Sequence, residues 1–557
     1  MGPPIPSRNF EQHSPITTIL RQICESYPES SCLRELLQNA DDAQASEIEY
    51  VLDTGTYDDS PLIHPGLQAY HGPALLVKNN RVFTDADFTS LTSIGDSKKR
   101  DDPASTGKYG QGFNSCFHWT DGPWILSRKY LLLLDPHREW STDGGGPTYD
   151  ILEDDSVEIQ NHLKTFHRTD VNTSQAVNAT VIRIPLRTES QAEKSKIVNR
   201  QATIQEITKA LHDLGQEIRE GGMLFLRYVR KVTVKIDSTV LWAASTAGAT
   251  EDDTRAMQSI PAAFSDMYAG VSDGRQAADV SKSFHVNVAY VEGSTSSDHR
   301  FLLQHKMSTS SGDNALDTWS RKRKLFPWVA IAAPLDHELS SGRLFSCLRL
   351  PIETGHPVHI HGLFSIVPDR GRLSSSGQNS RDMGSQWNHF MFKKCVVAAW
   401  IEMLLARRHL AWRQDFFKLW PSLNLSHTGE LWSCLDDYVL DQLIAENVSV
   451  WNTSHDCVAF SYGYFVPEGE ITQLYGSAFR AIQLPLVSLG LPMYQKLLHR
   501  ASGLSEEVRS LSPKFLRMFL KANHQLQQFK ILLAALATVL RSGLCRQCSR
   551  HGTAVSN

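Results

Sequence analysis

Glu35 and Asn39 lie within the run Leu33-Arg-Glu-Leu-Leu-Gln-Asn-Ala-Asp-Asp-Ala43. If that run is a helix, their side chains share one face, a turn apart. A carboxylate and a carboxamide aimed the same way can divide a hydrolytic task. The amide oxygen suits a magnesium shell, because magnesium takes hard oxygen ligands and keeps several waters. The carboxylate can hold a water and take its proton. Asp42 follows toward the same side. Alone this stripe is weak evidence, since polar residues at helical spacing commonly form a solvated face.

The second piece is Thr106-Gly-Lys-Tyr-Gly-Gln-Gly-Phe-Asn-Ser115. Gly107, Gly110 and Gly112 let the backbone turn sharply and approach a ligand closely. Backbone N–H groups ahead of a helix make an anion site. The loop is not the dinucleotide fingerprint, which needs a strand immediately before it and an acid further on. The polar segment Ile94–Pro103 precedes it and suits a mobile lid.

Together the two pieces are specific. The order Glu-x-x-x-Asn-Ala-x-Asp-Ala, an apolar strand, then Gly-x-x-Gly-x-Gly-Phe resembles the Bergerat ATP-binding fold of the GHKL superfamily, which includes gyrase, heat-shock chaperones, histidine kinases and MutL. The chain is more similar still to the sacsin family. The shared runs are Glu35–Ala43, Phe83–Phe88, Ile94–Lys99, Gly110–Ser115 with Thr120-Asp121, and Leu134–His137. The resemblance is dense over residues 10–190 and returns at Glu353–Phe364 and Asp369–Arg372.

That resemblance implies ATP and Mg2+ as ligands. It makes Glu35 the water-activating carboxylate and Asn39 the magnesium-binding amide. Gly107, Gly110 and Gly112 become the phosphate loop, and Thr180 a residue near the adenine. Asp42 and Phe113, inside the matched runs, count among the nucleotide contacts. Lys99 is expected to reach the phosphates from the lid. Arg370 or Arg372 is expected to contact the γ-phosphate, where a guanidinium would stabilise developing charge; an ordinary polar loop is the competing reading. One departure matters. The superfamily reads the adenine amino group with the aspartate of Asp-x-Gly-x-Gly, whereas this chain has Val77-Lys-Asn-Asn-Arg-Val-Phe83. Asn80, or else Asn79, would have to accept that hydrogen bond through a neutral amide oxygen, a weaker acceptor than a carboxylate.

The elements that must position these residues follow from periodicity. Ile16, Ile19, Leu20 and Ile23 repeat at helical spacing, and a second helix is expected from about Ser31 to Ala43. Strands are expected at Ile48–Leu52, Ala74–Val77 and Thr180–Ile184. The fold class is α+β: a Bergerat-type α/β sandwich over residues 1–190, then a second α/β domain over 191–375. The latter holds a helix at Ile204–Leu226 and strands around Val232–Ile236, Phe284–Tyr290, Val329–Ala333, Leu344–Leu350 and Val358–Ile366. Ala244–Asp253, Gly293–Asp298 and Ser308–Asp313 read as surface loops. Residues 376–557 read as mostly helical, ending in a helix at Leu526–Arg541.

Bulk properties bound the function. The chain has 557 residues, a net charge of −4, 41% hydrophobic residues and 21% charged ones. Cores are affordable, and no charge excess argues for nucleic acid or a membrane surface. No apolar stretch approaches membrane-spanning length, and Met1–Ser7 lacks a signal-peptide pattern. Nine scattered cysteines fit a reducing, cytoplasmic compartment. Cys545, Cys548 and His551 could be half of a zinc site, although a tail is the commoner reading. His356, His359 and His361 cluster, but His359 and His361 alternate along an expected strand and read as a partly exposed face more readily than as a metal site. Arg321–Lys324 resembles a short nuclear-localisation patch, although a solvated loop is the commoner meaning. The expected function is ATP binding with slow hydrolysis in a chaperone-like cycle acting on client proteins, with homo-oligomerisation left open. The rivals are a nucleotide-binding scaffold without turnover and a MutL- or topoisomerase-like DNA enzyme.

Overall fold

The computed structural model describes residues 15–91, 112–141, 145–272, 278–367, 371–374, 382–408, 414–423, 430–453, 456–469 and 484–511. Lys99, Gly107, Gly110, Arg370, the expected helix Leu526–Arg541 and the Cys545/Cys548/His551 group lie outside them. The fold is α+β, organised on one mixed sheet of 14 strands.

Helix α1 (Ile16–Ser26) and helix α2 (Cys32–Asp42) open the described chain. In α2 the apolar residues Leu33, Leu36, Leu37 and Ala40 recur at helical spacing and are buried. Past its end Gln44 takes a positive φ of 61°, which turns the chain into β1 (Glu47–Asp53). Strands β2 (Ala74–Asn79), β3 (Trp124–Arg128), β4 (Tyr130–Leu133), β5 (Thr148–Asp150) and β6 (Val177–Pro185) complete the first half of the sheet, in the order β1-β2-β6-β3-β4-β5.

Both faces of this half are covered. Ile48, Tyr50, Leu75, Val77, Ile125, Ile182 and Ile184 share a core with α1, α2 and α6 (Ile204–Glu217). Val51, Leu76, Leu126 and Val181 point the other way, onto Tyr70, Ile159, Leu163 and Phe166. The period-two alternation of the strands thus decides which residues look toward α2.

The sheet does not stop near residue 190. Strand β1 pairs in parallel with β7 (Lys231–Ile236), matching Tyr50 to Val234. From there β8 (Thr239–Gly248), β9 (Val280–Glu292), β10 (Thr295–Met307), β11 (Trp328–Pro334), β14 (His359–Gly362), β12 (Arg343–Ser346) and β13 (Leu348–Glu353) continue it outward. Two sequence expectations are corrected. Ala244–Asp253 is no loop: it finishes β8 and begins a helix at Glu251–Ser272. Small residues suffice there because β7 and β9 flank the strand and supply its pairing. Gly293 and Ser294 turn the β9–β10 hairpin, with Gly293 at φ 58°, and Thr295–Asp298 is already strand. The C-terminal part holds helices at Met383–Phe390, Val397–Arg407, Leu435–Ala445 and Leu491–Gly503, interrupted by two small two-stranded ladders.

Candidate functional site

Helix α2 presents Glu35 to the segment that begins at Gly112. The carboxylate is 4% exposed. It lies so close to Gly112 that a side chain there would overlap Oε2 and stand 3.2 Å from Cδ. The missing Cβ is therefore what allows this carboxylate beside the end of the glycine-rich loop. Phe113–His118 follows as a short 3-10 turn, tied back by the Ser115 N–H to the Gly112 carbonyl (3.1 Å) and by a Ser115–Cys32 hydrogen bond to the start of α2. Asn39, one turn after Glu35, is half-buried.

Across the sheet, Asn79 of β2 is the register partner of Thr180 of β6, and Thr180 is in turn the partner of Ser127 of β3. Leu75 and Val77, and Ile182 and Ile184, face α2, so alternation places Asn79 and Thr180 on that same face. The Thr180 and Ser127 hydroxyls are 3.0 Å apart, and Ser127 Oγ accepts from the Phe83 N–H at 3.0 Å. The structure thus brings Asn79 and Thr180 together on one rung, and Glu35 and Gly112 together above the same face.

Asn80 and Asp42 are committed elsewhere. The Asn80 amide oxygen accepts from the backbone N–H groups of Ser46 (3.0 Å) and Glu47 (3.3 Å), while its NH2 donates to Ser46 Oγ (2.7 Å). This carboxamide starts strand β1. Asn79 Oδ1 makes a local turn bond from the Arg81 N–H at 3.0 Å. The Asp42 carboxylate pairs with Arg227 Nη2 at 2.7 Å in a buried contact. Arg372 is exposed on a turn closed by the Ile366–Leu373 bridge.

Two buried ion networks position the site, and neither was singled out from sequence. Arg187, fully buried after β6, donates through Nε (3.0 Å) and Nη2 (2.9 Å) to Asp121 Oδ1. It also donates to the carbonyls of Phe117 (2.7 Å), His118 (2.9 Å) and Thr120 (2.8 Å). The guanidinium thereby fixes the segment carrying Gly112 and Phe113 to the strand carrying Thr180. The second network lies at the end of α2. Asp41 accepts from the N–H groups of Arg227 (3.1 Å), Tyr228 (2.7 Å) and Val229 (3.0 Å), just before β7. Burial pushes the Asp41 carboxyl above its usual value, against the pull of Arg227 and these donors. A signal for this network was present: two adjacent acids at a helix C-terminus oppose the helix dipole and need an outside partner.

The histidine expectation is also corrected. His356, His359 and His361 are all buried: His359 and His361 because β14 lies inside the sheet with every residue covered, and His356 because it packs on Trp400 and bonds with the Trp432 carbonyl. Their Nδ1 atoms accept from backbone N–H groups of Ser422, Arg343 and Cys347 at 3.1 to 3.2 Å. They do not converge on a metal position.

The family model described as Sacsin domain matches residues 13–242, a span holding α2, the Gly112 segment, β1 to β7 and both ion networks. Over 494 residues the chain is 28% identical to sacsin of Homo sapiens, which covers 81% of this chain and 10% of that protein. The chain therefore spans about a tenth of the length of this relative. The chain is thus similar to sacsin, and the part that matches the Sacsin domain model is residues 13–242.

Proposed function

We propose that this chain binds ATP with Mg2+ in a Bergerat-type site between α2 and the β2–β6 rungs, and hydrolyses it slowly. The observation that supports this best is the Glu35–Gly112 contact: a nearly buried carboxylate held where the glycine-rich run meets the helix face. In this reading Asn39 offers its amide oxygen to Mg2+, which would neutralise phosphate charge when bound. Glu35 orients a water and takes its proton. Asn79 and Thr180, on the facing rung, contact the base; Asn80 is already occupied by β1. The Asp41/Asp42–Arg227 network then gives movement of α2 a route into the second half of the sheet. That coupling is what a chaperone-like cycle on client proteins would require.

The test is phosphate release from ATP in the presence of Mg2+, comparing the wild type with Glu35→Ala. A base of this kind contributes about two to four orders of magnitude. Turnover in the wild type that falls to background in the variant supports hydrolysis. A scaffold reading without turnover is favoured by one observation, the lack of a carboxylate in Val77–Phe83. It wins if both chains bind ATP and neither releases phosphate above background.

A further inference from the structure

At the far end of the β10–β11 pair, away from α2, two histidines and an aspartate converge. His299 lies on β10; Asp336 and His337 follow directly after β11. His337 Nδ1 is 2.7 Å from Asp336 Oδ1, and His299 Nδ1 is 3.9 Å from the same oxygen. One donor atom of each lies within 4.8 Å of the other two.

The backbone holds this group in place. Phe301 pairs with Pro334, and the Leu335 N–H donates to the Arg300 carbonyl at 2.8 Å. The Arg300 N–H donates to Asp336 Oδ2 at 2.8 Å, which fixes the carboxylate and leaves Oδ1 toward the imidazoles. The Phe301 ring meets the His337 ring edge-on at 5.3 Å. The three side chains are 27% to 36% exposed.

We propose that His299, Asp336 and His337 form a binding site for a divalent transition-metal ion of the zinc class. Bonds of about 2.0–2.2 Å in a tetrahedral shell put ligand atoms roughly 3.4 Å apart. The separations of 2.7 and 3.9 Å straddle that value, so small side-chain rotations close the site. Two imidazole nitrogens and one carboxylate oxygen suit zinc, cobalt or nickel, whereas magnesium and calcium want oxygen throughout. Metal binding at His337 Nδ1 replaces its hydrogen bond with Asp336, the ring proton moving to Nε2 or to solvent. Three protein ligands leave a coordination position open, as in sites where zinc holds water or a substrate group. Asp336 and His337 also line a cleft of about 430 Å3 with Glu338, Arg407 and Lys418, which gives that position room.

The test is calorimetric titration of the chelator-stripped full chain with Zn2+ in excess Mg2+. The expected result is a saturable site that Mg2+ does not displace. Its affinity falls at least tenfold in His299→Ala and in His337→Ala. It is unchanged in Cys545→Ser/Cys548→Ser, a control for the cysteine pair outside the described residues. Binding that survives both histidine changes, or vanishes with the cysteine change, overturns the site. A second measurement does not depend on the alanine variants folding. His337→Cys loaded with Co2+ must gain a sulfur-to-cobalt charge-transfer band that the wild type lacks; a cysteine chain without that band overturns the assignment.

Discussion

The Glu35 carboxylate lies against Gly112 so closely that a methyl group there would overlap Oε2 and sit 3.4 Å from the Glu35 Cβ. Gly112→Ala should therefore displace Glu35 while leaving the local backbone acceptable, because Gly112 has ordinary helical angles (φ −60°, ψ −44°). Overpacking of this kind costs about 1–3 kcal/mol. The expected outcome is a modest fall in melting temperature with loss of ATP turnover comparable to that of Glu35→Ala. A Gly112→Ala chain that turns over ATP like the wild type removes the catalytic role of this contact.

Under the proposed ATP reading, register separates the two candidate adenine contacts. Asn79 shares a rung with Thr180, whereas Asn80 caps the start of β1. Asn79→Asp should therefore tighten ATP relative to GTP about severalfold, since a charge-assisted hydrogen bond exceeds a neutral one by roughly 1 kcal/mol. Asn80→Asp should leave the ATP/GTP ratio unchanged. Competition binding with both nucleotides measures this, and a ratio that moves only with Asn80 places the base on the wrong residue.

Stability should depend steeply on Arg187. Arg187→Met leaves Asp121 buried without its guanidinium and the carbonyls of Phe117, His118, Thr120 and Arg200 without this donor. Removing one partner of a buried pair costs about 3–5 kcal/mol. Denaturant unfolding should show that loss. The reverse comparison is the double change Arg187→Met/Asp121→Leu, which should recover part of it. A single variant as stable as the wild type contradicts the positioning role.

Acid should destabilise the fold through buried neutral histidines. Burial drives His305, His359 and His361 from 6.5 down to about 3. Their unfolded forms bind protons first, so the stability they contribute is complete above pH 6.5 and declines as pH falls from 6.5 toward 3. Each group steepens that limb by up to about 1.4 kcal/mol per pH unit. His361→Gln should flatten the pH dependence of stability between pH 6 and pH 4 by about that slope. An unaltered slope would mean His361 is not neutral in the fold.

Much of the first half was legible because its patterns are strong. The apolar stripe of α2 and the alternation of β1 fixed elements within a residue or so of those observed, Cys32–Asp42 and Glu47–Asp53. The candidates Glu35 and Thr180 came from the motif resemblance, which named Asn80 ahead of Asn79; the register that pairs Asn79 with Thr180 is visible only in the structure. Alternation could not say whether a second face is covered, and so His359 and His361 were read as partly exposed although β14 is enclosed between β11 and β12. A run of Ala, Ser, Thr and Gly hid the end of β8, whose pairing comes from its neighbours rather than its own side chains. Arg187 and Arg227 were invisible as anchors because their acceptors lie 66 and 186 residues away in sequence.

The most direct measurement is calorimetric titration of the full chain with ATP, with and without Mg2+, beside the same titration of Asn39→Ala. The account predicts saturable ATP binding that Mg2+ strengthens in the wild type, and loss of that strengthening in a variant whose circular dichroism is unchanged. Equal, magnesium-independent affinity in both folded chains, or no ATP binding by the wild type, would contradict it.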